Sequence, residues 1–139
     1  MLQKIKEIIE KSNPDYIVEY EESSLMNVKA DEIKRDKSFA YIEEFRRGKF
    51  TEGKFGGRKQ VMRMQIYFCK FSELQNDAIE REIQRENIIS EIVRPFISEY
   101  EKSGHFDDVK EWPFYYPLPR FDANEVSVML EFDCSIQIC

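Results

Sequence analysis

Residues 124–139 read NEVSVMLEFDCSIQIC, and this stretch decides the fold. Every second position is apolar, a set made up of Val126, Val128, Leu130, Phe132, Cys134, Ile136 and Ile138. Such period-two alternation predicts a β-strand with one buried face. At ~3.3 Å per residue the strand is far longer than the usual ~17–20 Å, so we expect part of it to lack a partner. An unpaired end favours pairing with another subunit, whereas an ordinary core strand that closes a sheet is the alternative.

The composition indicates one globular domain that spans residues 1–139. With 42% apolar residues, the chain can bury a core without metals or disulfides. A net charge of -6 argues against a generic DNA-binding domain, because phosphate affinity comes mainly from Lys and Arg. The N-terminal MLQKIKEIIEK is a charged amphipathic pattern, and no stretch approaches the ~20 apolar residues of a membrane span. We therefore expect an intracellular protein with no membrane partner.

The N-terminal half predicts a helix followed by strands. Apolar residues recur at helical spacing before Pro14, so the first helix covers roughly residues 2–12. Alternation at 16–20 predicts a short strand, and residues 22–37 are interpreted as a loop. Strands at 38–45 and 60–70 then form a long antiparallel hairpin.

A flexible basic loop is predicted between these two strands. Residues 46–59 read RRGKFTEGKFGGRK and hold four of the chain's five glycines. Such a long connection is usually functional or disordered. In the functional interpretation, its side chains contact an acidic surface on a partner, or DNA, and become ordered on contact. The proposed contact residues are Arg46, Arg47, Lys49, Phe50, Lys54, Phe55, Arg58 and Lys59.

The longest predicted element is a helix from about residue 77 to residue 102. Its apolar stripe comprises Ile79, Ile83, Ile88, Ile89, Ile92, Val93, Phe96, Ile97 and Tyr100. Asn76 or Asp77 is expected to cap its start, and Gly104 its end. Pro95 lies inside the pattern, where it removes a backbone hydrogen bond, so two helical pieces are expected to meet near Arg94.

An aromatic, proline-rich segment follows Gly104. It reads HFDDVKEWPFYYPLPRFD and is too rich in proline for a helix or a central strand, which predicts an ordered loop or an edge strand. Its aromatic residues either cap the core or form a contact surface for another subunit. These residues are Trp112, Phe114, Tyr115, Tyr116 and Phe121, of which Trp112, Tyr115 and Tyr116 are the proposed partner contacts.

Catalytic and metal-binding signatures are weak throughout the sequence. His105 is the only histidine and is interpreted as a loop residue, because no nucleophile motif accompanies it. Cys69, Cys134 and Cys139 lack metal-ligand spacing and are expected to be reduced structural thiols. Acidic pairs such as Asp107 with Asp108 are typical of solvated surfaces, and the glycines match no nucleotide-binding fingerprint. We expect no catalytic residues, no metal and no cofactor.

The order of elements predicts an α+β domain with helices packed on a mostly antiparallel sheet. In this order the chain resembles the tail-terminator and tail-completion proteins of long-tailed bacteriophages, the group that includes the lambda tail terminator. The resemblance rests on the N-terminal helix, the strand pair at 38–45 and 60–70, the helix containing IVRPF at 92–96 and the terminal strand at 125–138. The chain departs from the group in the unusually aromatic segment after Gly104.

The resemblance implies a non-enzymatic structural protein of phage or prophage assembly. In that group the subunits form a ring, commonly a hexamer, that caps the tail tube at the head–tail joint. The implied partners are further copies of the chain, the tail-tube protein, a head-completion or neck protein and DNA that passes through the ring. The implied locations are the cytoplasm of the bacterial host and the virion tail. The alternatives are another head–tail connector, neck or tail-tube-associated protein, and a small intracellular enzyme or binding domain.

Overall fold

The computed structural model describes residues 2–14, 17–19, 39–43, 47–53, 56–71, 78–117 and 125–138. Its elements in chain order are α1 (Leu2–Ser12), β1 (Ile17–Glu19), β2 (Phe39–Ile42), β3 (Gly48–Glu52), β4 (Arg58–Phe71), α2 (Ala78–Ile88), a π-helical turn (Ile89–Val93), α3 (Arg94–Ser103), β5 (Phe114–Tyr115) and β6 (Glu125–Ile138). The loop predicted at 22–37 and the helix caps predicted at Asn76 and Asp77 lie outside the described residues.

The strands form one six-stranded sheet in the order β1-β2-β4-β6-β5, and β3 also pairs with β4. Strands β1 and β2 run parallel, and every other pair is antiparallel. Because β6 occupies one side of β4 along its whole length, β2 and β3 share the other side. The predicted α+β class with a mostly antiparallel sheet is confirmed.

The longest ladder of the sheet joins β4 to β6. Each strand has 14 residues, and the register runs without interruption from Arg58 opposite Ile138 to Phe71 opposite Glu125. The expectation that part of the terminal strand lacks a partner is therefore wrong. The unusual length of β6 is matched by an equally long neighbour, which begins two residues before the predicted start of that strand.

The core lies on the face of this ladder that carries the even-numbered residues. Met64, Ile66 and Phe68 from β4 pack with Leu130 and Phe132 from β6, and each is essentially inaccessible to solvent. Burial of each such side chain contributes about 1.5–3 kcal/mol. At the β2 end, the opposite face is buried too, at Tyr41, Tyr67, Cys69 and Ser127. Simple alternation with one buried face therefore holds for only part of the sheet.

The long helix consists of the predicted two pieces. Helix α3 begins at Arg94, and the π-helical turn before it is closed by a hydrogen bond from the Arg94 N–H to the carbonyl of Ile89. This wider turn lies directly before Pro95, whose ring would clash with a carbonyl of a regular α-helix. The predicted cap at Gly104 is confirmed, since this residue has a left-handed conformation with φ 63°.

The buried stripe of the helix is shorter than predicted. Ile88, Ile92 and Phe96 are buried as expected, but Ile79 and Ile83 are exposed. The reason is their spacing: Ile83 precedes Ile88 by five residues, which turns it about 140° away around a helix of 3.6 residues per turn. The first two turns of α2 therefore present their apolar side chains to solvent.

The N-terminal elements agree with the sequence. Helix α1 has the predicted span, buries Ile5, Ile8 and Ile9, and is tied to α3 by an ion pair of 3.7 Å between Lys11 and Glu99. A short strand occurs at Ile17–Glu19, as predicted. Strand β2 ends at Ile42, three residues before the predicted end of that strand.

Candidate functional site

The predicted basic loop is largely a β-structure. Residues 48–52 form β3, which pairs with residues 58–62 of β4, and the distal part of β6 continues the sheet on the other side. We call this three-stranded extension (residues 47–53, 56–63 and 133–138) the arm. The prediction of a flexible loop is wrong for these residues, because the ladder satisfies their backbone hydrogen bonds. Arg46, Lys54 and Phe55 lie outside the described residues.

Glycines lie at the tip of the arm. The N–H of Gly53 donates a hydrogen bond to the carbonyl of Gly57. Gly56 has a φ of 80°, a conformation that residues with a Cβ rarely adopt. Gly56, one of the glycines on which the prediction of flexibility rested, therefore has a specific conformational role at the tip of the arm.

Basic residues of the arm divide into paired and unpaired groups. Lys59 forms an ion pair of 3.1 Å with Asp107, and Arg63 contacts Asp133 at 3.2 Å and Glu131 at 3.7 Å. Among the described residues, no ion pair engages Arg47, Lys49 or Arg58, and all three are exposed. These three residues are spread along the arm: Arg47 lies beside Arg63 at its base, Lys49 lies opposite Val61, and Arg58 lies opposite Glu52 near the tip.

Phe50 gives the arm an apolar contact point. It is 65% exposed and lies opposite Gln60 in the β3–β4 ladder. Because side chains alternate along a strand, Phe50 and Arg58 project from one face of the arm, and Lys49 projects from the other. An aromatic residue this exposed contributes little to the fold and is available for a partner.

The aromatic segment is split between core and surface. Trp112 packs against Phe132 with ring centres 4.6 Å apart, and it meets Tyr100 edge-on at 5.1 Å. Trp112 is thus chiefly a core residue with one edge accessible. Phe114 and Tyr115 form β5, the predicted edge strand, and both are exposed, as is Tyr116. Phe121 lies outside the described residues.

A groove of about 660 Å³ separates the long helix from β5. We call it the aromatic groove; its apolar lining comprises Ile89, Val93, Ile97, Trp112, Phe114 and Tyr116. Tyr115 points away from it, because Tyr115 pairs with Met129 on the opposite face of the sheet from the pairing of Phe114 with Leu130. The π-helical turn supplies one wall, and such turns frequently occur at functional sites.

Charged side chains border this groove. Glu86 and Arg94 are among its lining residues, and the Arg85 guanidinium lies 5.1 Å from the centre of the Tyr116 ring. That distance is within the range of a cation–π contact, which holds Tyr116 towards the helix. The groove thus has an apolar floor and a charged rim, the usual composition of a protein-binding surface.

Titratable groups in the core have structural environments. Burial raises the pKa of the Cys134 thiol to about 11, although the adjacent Tyr100 side chain acts in the opposite direction. Burial also raises the pKa of the Tyr100 hydroxyl. Both groups are neutral at pH 7, and a neutral buried thiol is a poor nucleophile. Cys69 and Cys134 are buried free thiols as predicted, and Cys139 lies outside the described residues.

The other polar candidates lie in the loop after α3. His105 is exposed there, as expected, and its ring meets Phe106 edge-on at 4.7 Å. Asp107 is bound to Lys59 and also accepts a hydrogen bond of 3.4 Å from the Ser135 hydroxyl. Within the described ranges, no cluster of His, Cys, Asp and Glu has a geometry suited to a metal, and no helix is long and apolar enough to span a membrane.

Comparison with known proteins finds no matching protein family and no matching curated sequence. The two surfaces that stand out are therefore identified by geometry alone: the arm, with its exposed basic residues and Phe50, and the aromatic groove. Sequence reasoning identified the residues of both but missed β3, the π-helical turn and the helical wall of the groove.

Proposed function

We propose that this chain is a ring-forming structural protein of a phage or prophage, a tail terminator that caps the tail tube at the head–tail joint. The observation that carries the proposal is the placement of two different exposed surfaces at opposite edges of one sheet. The arm contains β3, which lies outside β4, whereas the aromatic groove contains β5, which lies outside β6.

These two surfaces are too far apart to meet within one chain. Leu130 lies opposite Phe114 beside the groove, and Ile138 lies opposite Arg58 near the tip of the arm. The eight residue steps from Leu130 to Ile138 along β6 span about 26 Å at ~3.3 Å per residue. A contact between the surfaces therefore requires a second copy of the chain.

Such a contact is heterologous, because one subunit contributes its arm and the other contributes its aromatic groove. Repetition of one heterologous contact closes a ring if the rotation between neighbours fits, and otherwise makes a filament. The resemblance to tail terminators favours the closed, hexameric form. The ion pair of Lys59 with Asp107 ties the arm to the loop after α3, whereas Arg63 and Asp133 pair within the arm.

The proposal assigns the remaining partners to surfaces outside the subunit contact. The tail-tube protein and a head-completion or neck protein contact the two faces of the ring, in the virion or in the host cytoplasm during assembly. Lys49 projects from the opposite face of the arm to Phe50, so it is available to an acidic neighbouring ring or to DNA in the channel. A different connector or neck ring with the same architecture is the alternative within this class.

Deletion of the coding sequence from the phage or prophage genome that carries it tests the proposed function. We expect electron micrographs to show filled heads without tails, together with tails of uncontrolled length. Supply of the wild-type chain from a plasmid should restore virions, and supply of an unrelated protein serves as the control. Normal infectious particles from the deletion alone would contradict the proposal.

A further inference from the structure

An apolar stripe extends the aromatic groove along α2 by two turns. Ile79, Ile83, Glu86 and Ser90 follow one another at spacings of three or four residues, so they lie on one face of the helix. Ile83 is 47% exposed, and Glu86 and Ser90 line the groove. Ile79 and Ile83 thus add exposed apolar side chains to those of Phe114 and Tyr116, with the polar Glu86 and Ser90 on the same helix face. Exposed apolar side chains grouped in this way mark interaction sites in soluble proteins.

Acidic side chains surround the α2 end of this surface. Glu82 and Glu86 are both exposed and flank Ile83 on the helix. Arg85, the nearby basic residue, lies over the Tyr116 ring, and Arg94 lies at the other end of the groove. The end of the groove at Ile83 therefore favours a partner that carries positive charge beside an apolar side chain.

The arm has this combination on one of its faces. Phe50 and Arg58 project from the same face; Glu52 lies opposite Arg58 on that face, but Arg58 forms no ion pair among the described residues. The groove volume of about 660 Å³ is enough for an aromatic side chain with its neighbours. Shape, apolar character and charge of the arm thus complement those of the groove.

We infer that the arm of one copy lies in the aromatic groove of the next, with Phe50 against Ile83, Phe114 and Tyr116, and with Arg58 beside Glu86. This inference rests on the heterologous assembly in the proposed function, and it names the residues that make the subunit contact. Each groove is incomplete in a single chain, because the next copy supplies its aromatic occupant.

The first test compares Phe50→Ala with Tyr115→Ala by sedimentation equilibrium. Tyr115 is a matched control, because it is an exposed aromatic residue that faces away from the groove. Phe50→Ala is expected to weaken self-association about tenfold to a hundredfold, as for a central aromatic contact, and Tyr115→Ala is expected to leave it unchanged. Thermal melts should be unchanged for both, since both side chains are on the surface.

A charge swap tests the pairing itself. Arg58→Glu and Glu86→Arg are each expected to weaken association about fivefold, and the double variant to restore it to within about twofold of the wild type. Restoration requires that Arg58 and Glu86 meet across the contact, which a general effect of net charge does not produce. An additive loss in the double variant would overturn the inference.

Cross-linking then distinguishes the inferred contact from other assemblies. In a Cys139→Ser background, a mixture of the Phe50→Cys and Ile83→Cys proteins should form the mixed disulfide in preference to either symmetric one. Symmetric disulfides alone, or a wild-type chain that stays monomeric at its highest soluble concentration, would overturn the inference. Wild-type rings that persist in Phe50→Ala would overturn it and leave the proposed function standing. Normal virions after gene deletion would reject only the proposed function.

Discussion

Replacement of Phe96 by alanine is expected to lower the free energy of unfolding by about 3–5 kcal/mol. Phe96 has no solvent exposure, and its ring centre lies 5.6 Å from that of Phe68. It also lies 6.1 Å from Tyr100 and 6.3 Å from Trp112. Because these rings come from β4, from α3 and from the segment before β5, the substitution leaves a cavity where three parts of the fold meet.

The magnitude follows from two contributions. Loss of the buried aromatic surface and creation of the cavity together cost about 3–5 kcal/mol for Phe→Ala in a core that relaxes only partly. Edge and tilted ring contacts contribute about 0.5–1.5 kcal/mol per pair beyond their buried area, which favours the upper part of that range here. Phe96→Leu keeps most of the volume and is expected to cost less.

Urea denaturation followed by tryptophan fluorescence measures this loss directly. Trp112 is the only tryptophan and packs against Phe132 within the same cluster, so its emission reports on the packing that the substitution changes. Ile83→Ala is the matched control on the same long helix, and it should cost less than ~1 kcal/mol because its side chain is exposed. A loss below ~1 kcal/mol for Phe96→Ala would refute the placement of Phe96 at the centre of the core.

Three further predictions concern alkaline stability, the arm and the terminal strand. Burial raises the pKa of the Cys134 thiol from 9.0 to about 11. The contribution of this shift to the free energy of unfolding is therefore fully present below pH 9 and is lost as the pH rises towards 11. Urea melts across this window should show a falling free energy of unfolding. Replacement of Arg46, Arg47, Arg58 and Lys59 by serine should cost at most ~1 kcal/mol in urea melts, chiefly through the ion pair of Lys59, yet it should abolish complementation of a deletion phage. Normal plaques would reject a role for these four charges. Deletion of residues 135–139 removes the β6 partner of residues 58–61 in the arm, so ultracentrifugation should show a larger loss of association than melts show of stability, and an equal loss would mean that this end of β6 serves only the core.

The spacing of apolar residues predicted the strands and helices whose sequences follow a single regular repeat. The alternation around Phe132 identified β6, helical spacing identified α1, and Pro95 identified the junction between the two helical pieces. The α+β class followed from the order of these elements. Each of these signals is local, so a single sequence was sufficient to predict them.

Other features depend on which segments meet in space. Glycines and lysines hide the alternation of β3, whose strand conformation depends on the register that it shares with β4. The full pairing of β6 depends on a partner of equal length, and burial of both Tyr67 and Phe68 depends on cover over both faces of the sheet. The exposure of Ile83 could have been predicted, because the five residues that separate it from Ile88 place the two side chains on different faces of a helix. The predicted buried stripe did not take this spacing into account.

The sequence identified the segments that form the candidate site but not their arrangement in space. The basic segment at 46–59 and the aromatic segment both stood out in the sequence, because they depart from the rest of an acidic chain. Their separation at opposite edges of the sheet required the topology, in which β3 lies beside β4 and β5 beside β6. The groove required the π-helical turn, which leaves no clear mark in the residue pattern.

Control of tail-tube length tests the central claim most directly. In the proposed role the chain acts on a tail-tube protein of the same phage or prophage, which can be polymerised with and without the purified chain, and tube lengths can be measured in electron micrographs. We predict that the wild-type chain binds one end of the tube and stops elongation, and that Phe50→Ala does so only at higher concentration than Tyr115→Ala. Tubes that continue to grow, with no density at their ends at saturating wild-type protein, would contradict the assignment as a tail terminator.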